Sequence, residues 1–184
     1  MLSPDEFNIK KGYITSAIIN SRSIDDRIFC LSYLGSMAIM LSILEIAIPK
    51  PLPWMKIGLA NSVTLYAFGV LKIKEVFVVV LARVLAVSII IGTFLSTTFV
   101  LSLTGAVTSF IVMAVAYRYL KRFISLIGIS VLGASASNLS QLMVVNWLFL
   151  NSRVSYYLFP ILLAVALIGG IITGLFAMFL RRNI

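Results

Sequence analysis

Residues 28–53 read IFCLSYLGSMAIMLSILEIAIPKPLP, an apolar run from Ile28 to Ile48 with one charge, Glu45, closed by Pro49, Pro51 and Pro53. A bilayer core about 30 Å thick is crossed by roughly 20 helical residues, so this run has the length of one span. The prolines stop it, because each lacks a backbone donor and pushes its predecessor away from helical geometry. A membrane helix followed by a stiff turn is the template against which the rest of the chain is read.

Five further apolar segments follow. They run from about Ile57 to Leu71, Val76 to Gly92, Thr98 to Tyr117, Ile124 to Leu150 and Val154 to Leu180. Their breaks are polar or basic: Lys72-Ile73-Lys74-Glu75, Arg118-Tyr119-Leu120-Lys121-Arg122, Asn151-Ser152-Arg153 and a final Arg181-Arg182. Residues 76–117 are too long for one span and suit two, with the break at Gly92-Thr93. The second and third segments are short, which requires local thinning of the bilayer or help from flanking residues.

Composition agrees. The 184 residues are 61% hydrophobic and 11% charged, with a mean hydropathy of +1.10, whereas soluble domains are about half apolar and about a quarter charged. A soluble core of this length cannot hide so much apolar surface, so lipid must cover the rest. The expected fold is an all-α integral membrane protein, one domain of six transmembrane helices over residues 28–184, preceded by a polar leader over residues 1–27. The leader lacks the basic, apolar, small-residue order of a cleaved signal peptide. It reads either as a cytoplasmic leader lying partly on the membrane or as a disordered tail.

Lysine and arginine set the orientation. With the N-terminus inside, six spans place Lys10, Lys11, Arg22, Arg27, Lys72, Lys74, Arg118, Lys121, Arg122, Arg181 and Arg182 on the cytoplasmic side. Only Lys50, Lys56 and Arg153 fall outside, and Arg83 lies within a span. That bias follows the positive-inside rule and puts both termini in the cytoplasm, in the cell (inner) membrane. The net charge of +9 is thus a topology signal. It does not form the solvated basic patch that a nucleic-acid partner needs.

Most catalytic templates are missing. The chain has no histidine and one cysteine, Cys30, which leaves no disulfide framework and none of the usual zinc or haem ligand sets. No cofactor is expected. No glycine-rich phosphate loop is present, so any ATP-driven work requires another subunit. Asp25-Asp26 is a lone acidic pair, whereas metal-assisted diphosphate chemistry needs several carboxylates converging on magnesium. The chain is not expected to be an enzyme.

Polar residues inside spans are costly and mark candidate sites. Glu45 ends the first helix and Lys56 begins the second. They form either the rim of an outer pocket or two interfacial charges reaching for water. Asn61 and Thr64 share a face of the second helix, whose N-terminus suits an anionic ligand; an ordinary helix start with Asn61 bonded to a neighbour is the other reading. Arg83, within the third helix, either bears function, or reaches the cytoplasmic interface, or holds the fold by bonding a helix-end carbonyl. The fifth helix carries Ser130, Ser137 and Gln141 in one stripe, with Asn138 beside Gln141. That stripe faces a ligand, or it packs helices through small residues with hydrogen-bond glue. By depth, Glu45, Lys56, Asn61, Arg83, Asn138 and Gln141 converge on the outer half of the bundle and form the candidate substrate site. Ser32 and Ser36, four apart beside Gly35, make a small-residue face for another helix.

The stretch Glu45-Ile46-Ala47-Ile48-Pro49, Pro51-Leu52-Pro53 and Lys56-Ile57-Gly58-Leu59-Ala60-Asn61 resembles the Gx transporter family, also labelled heptaprenyl diphosphate synthase component I. Arg83-Val84-Leu85, Gly92-Thr93-Phe94, Ser102-Leu103-Thr104-Gly105, and Gly128-Ile129-Ser130 through Gly133-Ala134, Asn138 and Gln141-Leu142 look like its later blocks. The resemblance implies a histidine just before the asparagine of the fifth helix; this chain has Ser137 there. The family is similar to the substrate-binding S-components of energy-coupling factor importers. That implies a receptor for a vitamin-like or other small organic solute, working with a transmembrane scaffold subunit and two cytoplasmic ATPases. A membrane enzyme or accessory subunit of polyprenyl diphosphate synthesis is the alternative.

Overall fold

A computed structural model describes residues 24–47, 58–121, 123–148 and 152–183. The described residues form six helices: α1 Ile24–Ala47, α2 Leu59–Val70, α3 Ile73–Ile91, α4 Thr97–Tyr119, α5 Leu126–Leu148 and α6 Ser152–Asn183. Four have segments long and apolar enough to cross a membrane: Arg27–Ile46, Thr97–Tyr119, Leu126–Trp147 and Phe159–Arg182. α2, with 12 residues, is about 18 Å long, short of the ~30 Å hydrocarbon core. α3 has 19 residues but carries Lys74, Glu75 and Arg83. α2 and α3 therefore fall short of a plain apolar span, one by length and the other by charge.

The helix ends follow local chemistry. α1 begins within the polar leader, at Ile24. At the start of α3 the Glu75 carboxylate accepts the Lys72 amide at 2.8 Å, a favourable anion at a helix N-terminus. The same carboxylate lies 3.6 Å from Arg27, which ties the beginnings of α1 and α3 together. α3 stops at Gly92, whose φ of 74° is the left-handed conformation that ends helices. The Ser96 hydroxyl then caps α4 by accepting the Phe99 amide at 3.3 Å. The expected break at Gly92-Thr93 is thus a tight turn over residues 92–96.

Packing is inverted relative to a soluble bundle. In α6 the inward face is Leu162, Ala166, Gly170, Thr173, Gly174 and Ala177, while Ile168, Leu175 and Phe179 are more than half exposed. Large apolar side chains pointing out and small ones pointing in suit a lipid-facing helix. A Cβ on Gly170 would sit 2.6 Å from the Val131 backbone, and one on Gly174 would sit 2.7 Å from that of Ile127, so α5 and α6 touch through bare backbone. Ser130 and Thr173 share a 2.6 Å hydroxyl hydrogen bond across the same seam. Pro160 lies inside α6, as membrane helices tolerate. The short α2 is the centre of the bundle, touching α1, α3, α4, α5 and α6. Its Val63, Leu65, Ala67 and Phe68 are buried, and Phe68 stacks on Phe110 and Tyr117 of α4 at 5.7 and 5.5 Å.

Helix directions give the bundle two unlike ends. α1 and α3 finish where α2 and α4 begin. At the opposite end lie Arg27, Lys72, Lys74, Arg118, Lys121, Arg181 and Arg182, every lysine and arginine with a described side chain except Arg83. Lys10, Lys11, Arg22, Lys50, Lys56 and Arg122, and the side chain of Arg153, lie outside the described residues.

Candidate functional site

Away from the basic end, α1 to α5 surround a cavity of about 170 Å³. Each helix supplies one face. The last turns of α1 contribute Ser42, Glu45 and Ile46, and the start of α2 contributes Gly58, Ala60 and Asn61. α3 contributes Arg83, Val84, Val87, Ser88 and Ile91, positions that recur at helical spacing along one stripe. Thr98, Leu101, Ser102 and Ala106 come from α4, Ala134 and Ser137 from α5, and Thr93 from the turn between α3 and α4.

Glu45 fixes the mouth of α2. It is 4% exposed, and its two oxygens accept the Gly58 amide at 2.8 Å and the Leu59 amide at 3.0 Å. These are free donors at a helix start, where the backbone carries partial positive charge. Gly58 has a φ of 87°, a left-handed conformation that glycine adopts without strain. The sequence reading offered this helix start to an anionic ligand; the anion seated there is the chain's own carboxylate.

Arg83 is 7% exposed, deep on α3. Its charge interacts with that of Glu45, and both groups face the cavity. Among the described residues its guanidinium makes no hydrogen bond and no salt bridge. A charge at this depth costs several kcal/mol unless paired or hydrated. The surrounding hydroxyls are tied back to their own helices: Ser42 donates to the Ala38 carbonyl at 2.9 Å and Ser88 to the Leu85 carbonyl at 2.8 Å. Each oxygen therefore keeps acceptor capacity on the cavity side.

Of the residues singled out from sequence, Glu45, Asn61 and Arg83 meet in this cavity. Asn61 also donates to the Ser109 hydroxyl of α4 at 3.2 Å, so the bonding of Asn61 to a neighbouring helix and its place at the site hold together. Asn138 and Gln141 do not line it. Asn138 donates to the Leu162 carbonyl of α6 at 3.1 Å and borders a much smaller void against that helix. Gln141 donates to the Ser137 hydroxyl at 3.1 Å and packs over Gly105, where a Cβ would come 2.3 Å from its amide nitrogen. Lys56 lies outside the described residues. Ser32 and Ser36 are exposed on α1, and the Ser36 hydroxyl donates to the Ser32 carbonyl at 2.6 Å.

Ser42, Ser88 and Thr98 were not singled out from sequence. Periodicity could have found the first two: Ser42 sits one turn before Glu45, and Ser88 follows Arg83 on the same stripe.

No curated protein and no solved structure matches the chain. The family model for heptaprenyl diphosphate synthase component I matches residues 34–180, a stretch that contains the whole lining of the cavity. With most of its length covered by that match, the chain belongs to the heptaprenyl diphosphate synthase component I family.

Proposed function

We propose that this protein is the substrate-binding membrane subunit of an energy-coupling factor importer for a small organic solute, vitamin-like in size. The carrying observation is the cavity: polar and charged groups from five helices gather at the end of the bundle remote from every described lysine and arginine except Arg83, which lines it. By the positive-inside rule the basic end is cytoplasmic and the cavity faces outward, as capture of an external solute requires. In this reading all six helices span the cell membrane, both termini are cytoplasmic, α2 is the central helix and α3 takes its place in the outer ring beside α1 and α4. The residues that bind solute are those lining the cavity, Glu45, Asn61 and Arg83 above all. Energy comes from a transmembrane scaffold and two ATPases, since the sequence holds no phosphate loop.

The family description favours a second reading, a component of prenyl diphosphate synthesis. The chain has six acidic residues. Glu45 is engaged by the α2 amides and Glu75 by Arg27 and the Lys72 amide. Among the described residues no three His, Cys, Asp or Glu side chains gather where a metal could sit. Asp5, Glu6 and the side chains of Asp25 and Asp26 lie outside the described residues, and what supports the receptor is the engagement of Glu45 and Glu75.

The tagged protein, purified in mild detergent from membranes of its native host, is expected to bring a membrane scaffold and two ATPases with it. Magnesium-dependent prenyl transfer by the pure chain, with no ATPase recovered, would overturn the receptor reading.

A further inference from the structure

We infer that the cavity takes a small monocarboxylate with an apolar body, its carboxylate seated on Arg83. This rests on the receptor reading and adds the charge, shape and size of the solute. A guanidinium offers five N–H donors in a planar fork, and that of Arg83 uses none of them on the described residues while 93% of the residue's surface is out of solvent. Glu45 balances its charge through space, but the Glu45 oxygens already accept two backbone amides. The donors of Arg83 therefore still need an acceptor, and the group that matches a guanidinium fork two-on-two is a carboxylate.

The charge count favours one negative charge over two. Among the described residues the charged side chains at the cavity are Glu45 and Arg83, together neutral, and the α2 N-terminus adds a partial positive charge of roughly half a unit. A monoanion nearly balances that site, whereas a dianionic phosphate sets excess negative charge beside Glu45. The remainder of the solute meets Val84, Val87, Ile91 and Leu101, apolar side chains set among the hydroxyls of Ser42, Ser88, Thr93, Thr98 and Ser102. The cavity of about 170 Å³ is close to the engineered apolar cavities, on the order of 150 Å³, that hold benzene. The solute is thus an acid with a compact aromatic or branched aliphatic body.

Matched pairs test this on the full chain in maltoside detergent: benzoate against benzamide, cyclohexanecarboxylate against its amide, and 3-phenylpropionate against its amide, with inorganic phosphate at equal ionic strength. Thermal unfolding is followed for each. The expected result is a rise in Tm with at least one carboxylate, and none with its amide or with phosphate. Arg83→Gln is expected to weaken that carboxylate about thirtyfold or more, and Arg83→Lys to recover part of the loss. Amides that stabilise as well as the acids overturn the proposal, as does a panel in which no acid shifts Tm. The receptor reading is judged separately. If amides bind and Ala134→Leu, which fills the cavity, abolishes that binding, the site holds a neutral solute and the receptor survives. If no scaffold or ATPase accompanies the protein, the receptor falls whatever the panel shows.

Discussion

The carboxylate of Glu45 holds the backbone of Gly58 at 2.8 Å, joining the last turn of α1 to the first of α2 across 13 residues of sequence. Leu59 makes the companion bond to the second oxygen at 3.0 Å. A charged side chain thereby fixes the start of the central helix, a role more often left to a local cap.

Glu45→Ala removes both acceptors and strands two amide donors where little water reaches them. It also leaves the Arg83 charge without its counter-charge. Charge-assisted hydrogen bonds contribute about 1.5–3 kcal/mol each, so the loss of stability is expected at about 2–4 kcal/mol after relaxation. Glu45→Gln keeps one acceptor oxygen and should lose roughly half as much. Unfolding in mixed micelles measures both. Equal stability of Glu45→Ala and the parent would show that the α2 start is held by something else.

The seam between α5 and α6 gives a contrast between glycines. At Gly170 and Gly174 an added Cβ meets Val131 and Ile127 backbone at 2.6 and 2.7 Å, whereas at Gly35 nothing lies within 4 Å. Backbone cannot swing aside as a side-chain tip can. Gly170→Ala and Gly174→Ala must therefore part the helices, costing about 1–3 kcal/mol. Gly35→Ala should be neutral, or slightly stabilising through helix propensity. The three melting temperatures decide it: equal values would mean that the seam is looser than its geometry.

Asn138 joins α5 to α6 through the Leu162 carbonyl and stands away from the larger cavity. Asn138→Ala should therefore lower Tm by an amount equivalent to about 1 kcal/mol and leave carboxylate affinity unchanged. A variant with parental stability and weakened binding would return Asn138 to the solute site.

How far the sequence reveals this arrangement depends on range. The glycine at 92 and the basic clusters are local signals, and they mark a helix boundary and the basic end of the bundle; the proline run after Ile48 lies outside the described residues. Glu45, Asn61 and Arg83 line one cavity, and the sequence singles them out because polar side chains are expensive in lipid and depth can be counted from helix ends. The stripe on α5 was less legible. Ser130, Ser137 and Gln141 do share a face, yet Ser130 bonds Thr173 of α6, Ser137 faces the cavity and Gln141 covers Gly105 of α4. Periodicity fixes the rotational phase of a helix, but helices cross, so the neighbour of a given face changes with depth. The same limit hid Glu45 as the occupant of the α2 N-terminus, a contact that only tertiary packing sets.

Orientation is the last test, and it separates span number from span direction. Leu95, 79% exposed, lies in the turn between α3 and α4 at the cavity end, and Phe123, 87% exposed, lies between α4 and α5 at the basic end. In a Cys30→Ser background, Leu95→Cys should react with a membrane-impermeant maleimide on intact cells. Phe123→Cys and Asn183→Cys should react only after permeabilisation. The proposed topology requires this pattern, because one crossing of α4 separates Leu95 from Phe123, and two further crossings return the chain to the Phe123 side at Asn183. If Leu95 and Phe123 label from the same side, α4 does not cross and the count of six spans is lost. If all three sites are reversed, the crossing of α4 stands but the cavity opens to the cytoplasm. The positive-inside argument would then fail with it, and Arg83 and Glu45 would serve a cytoplasmic ligand.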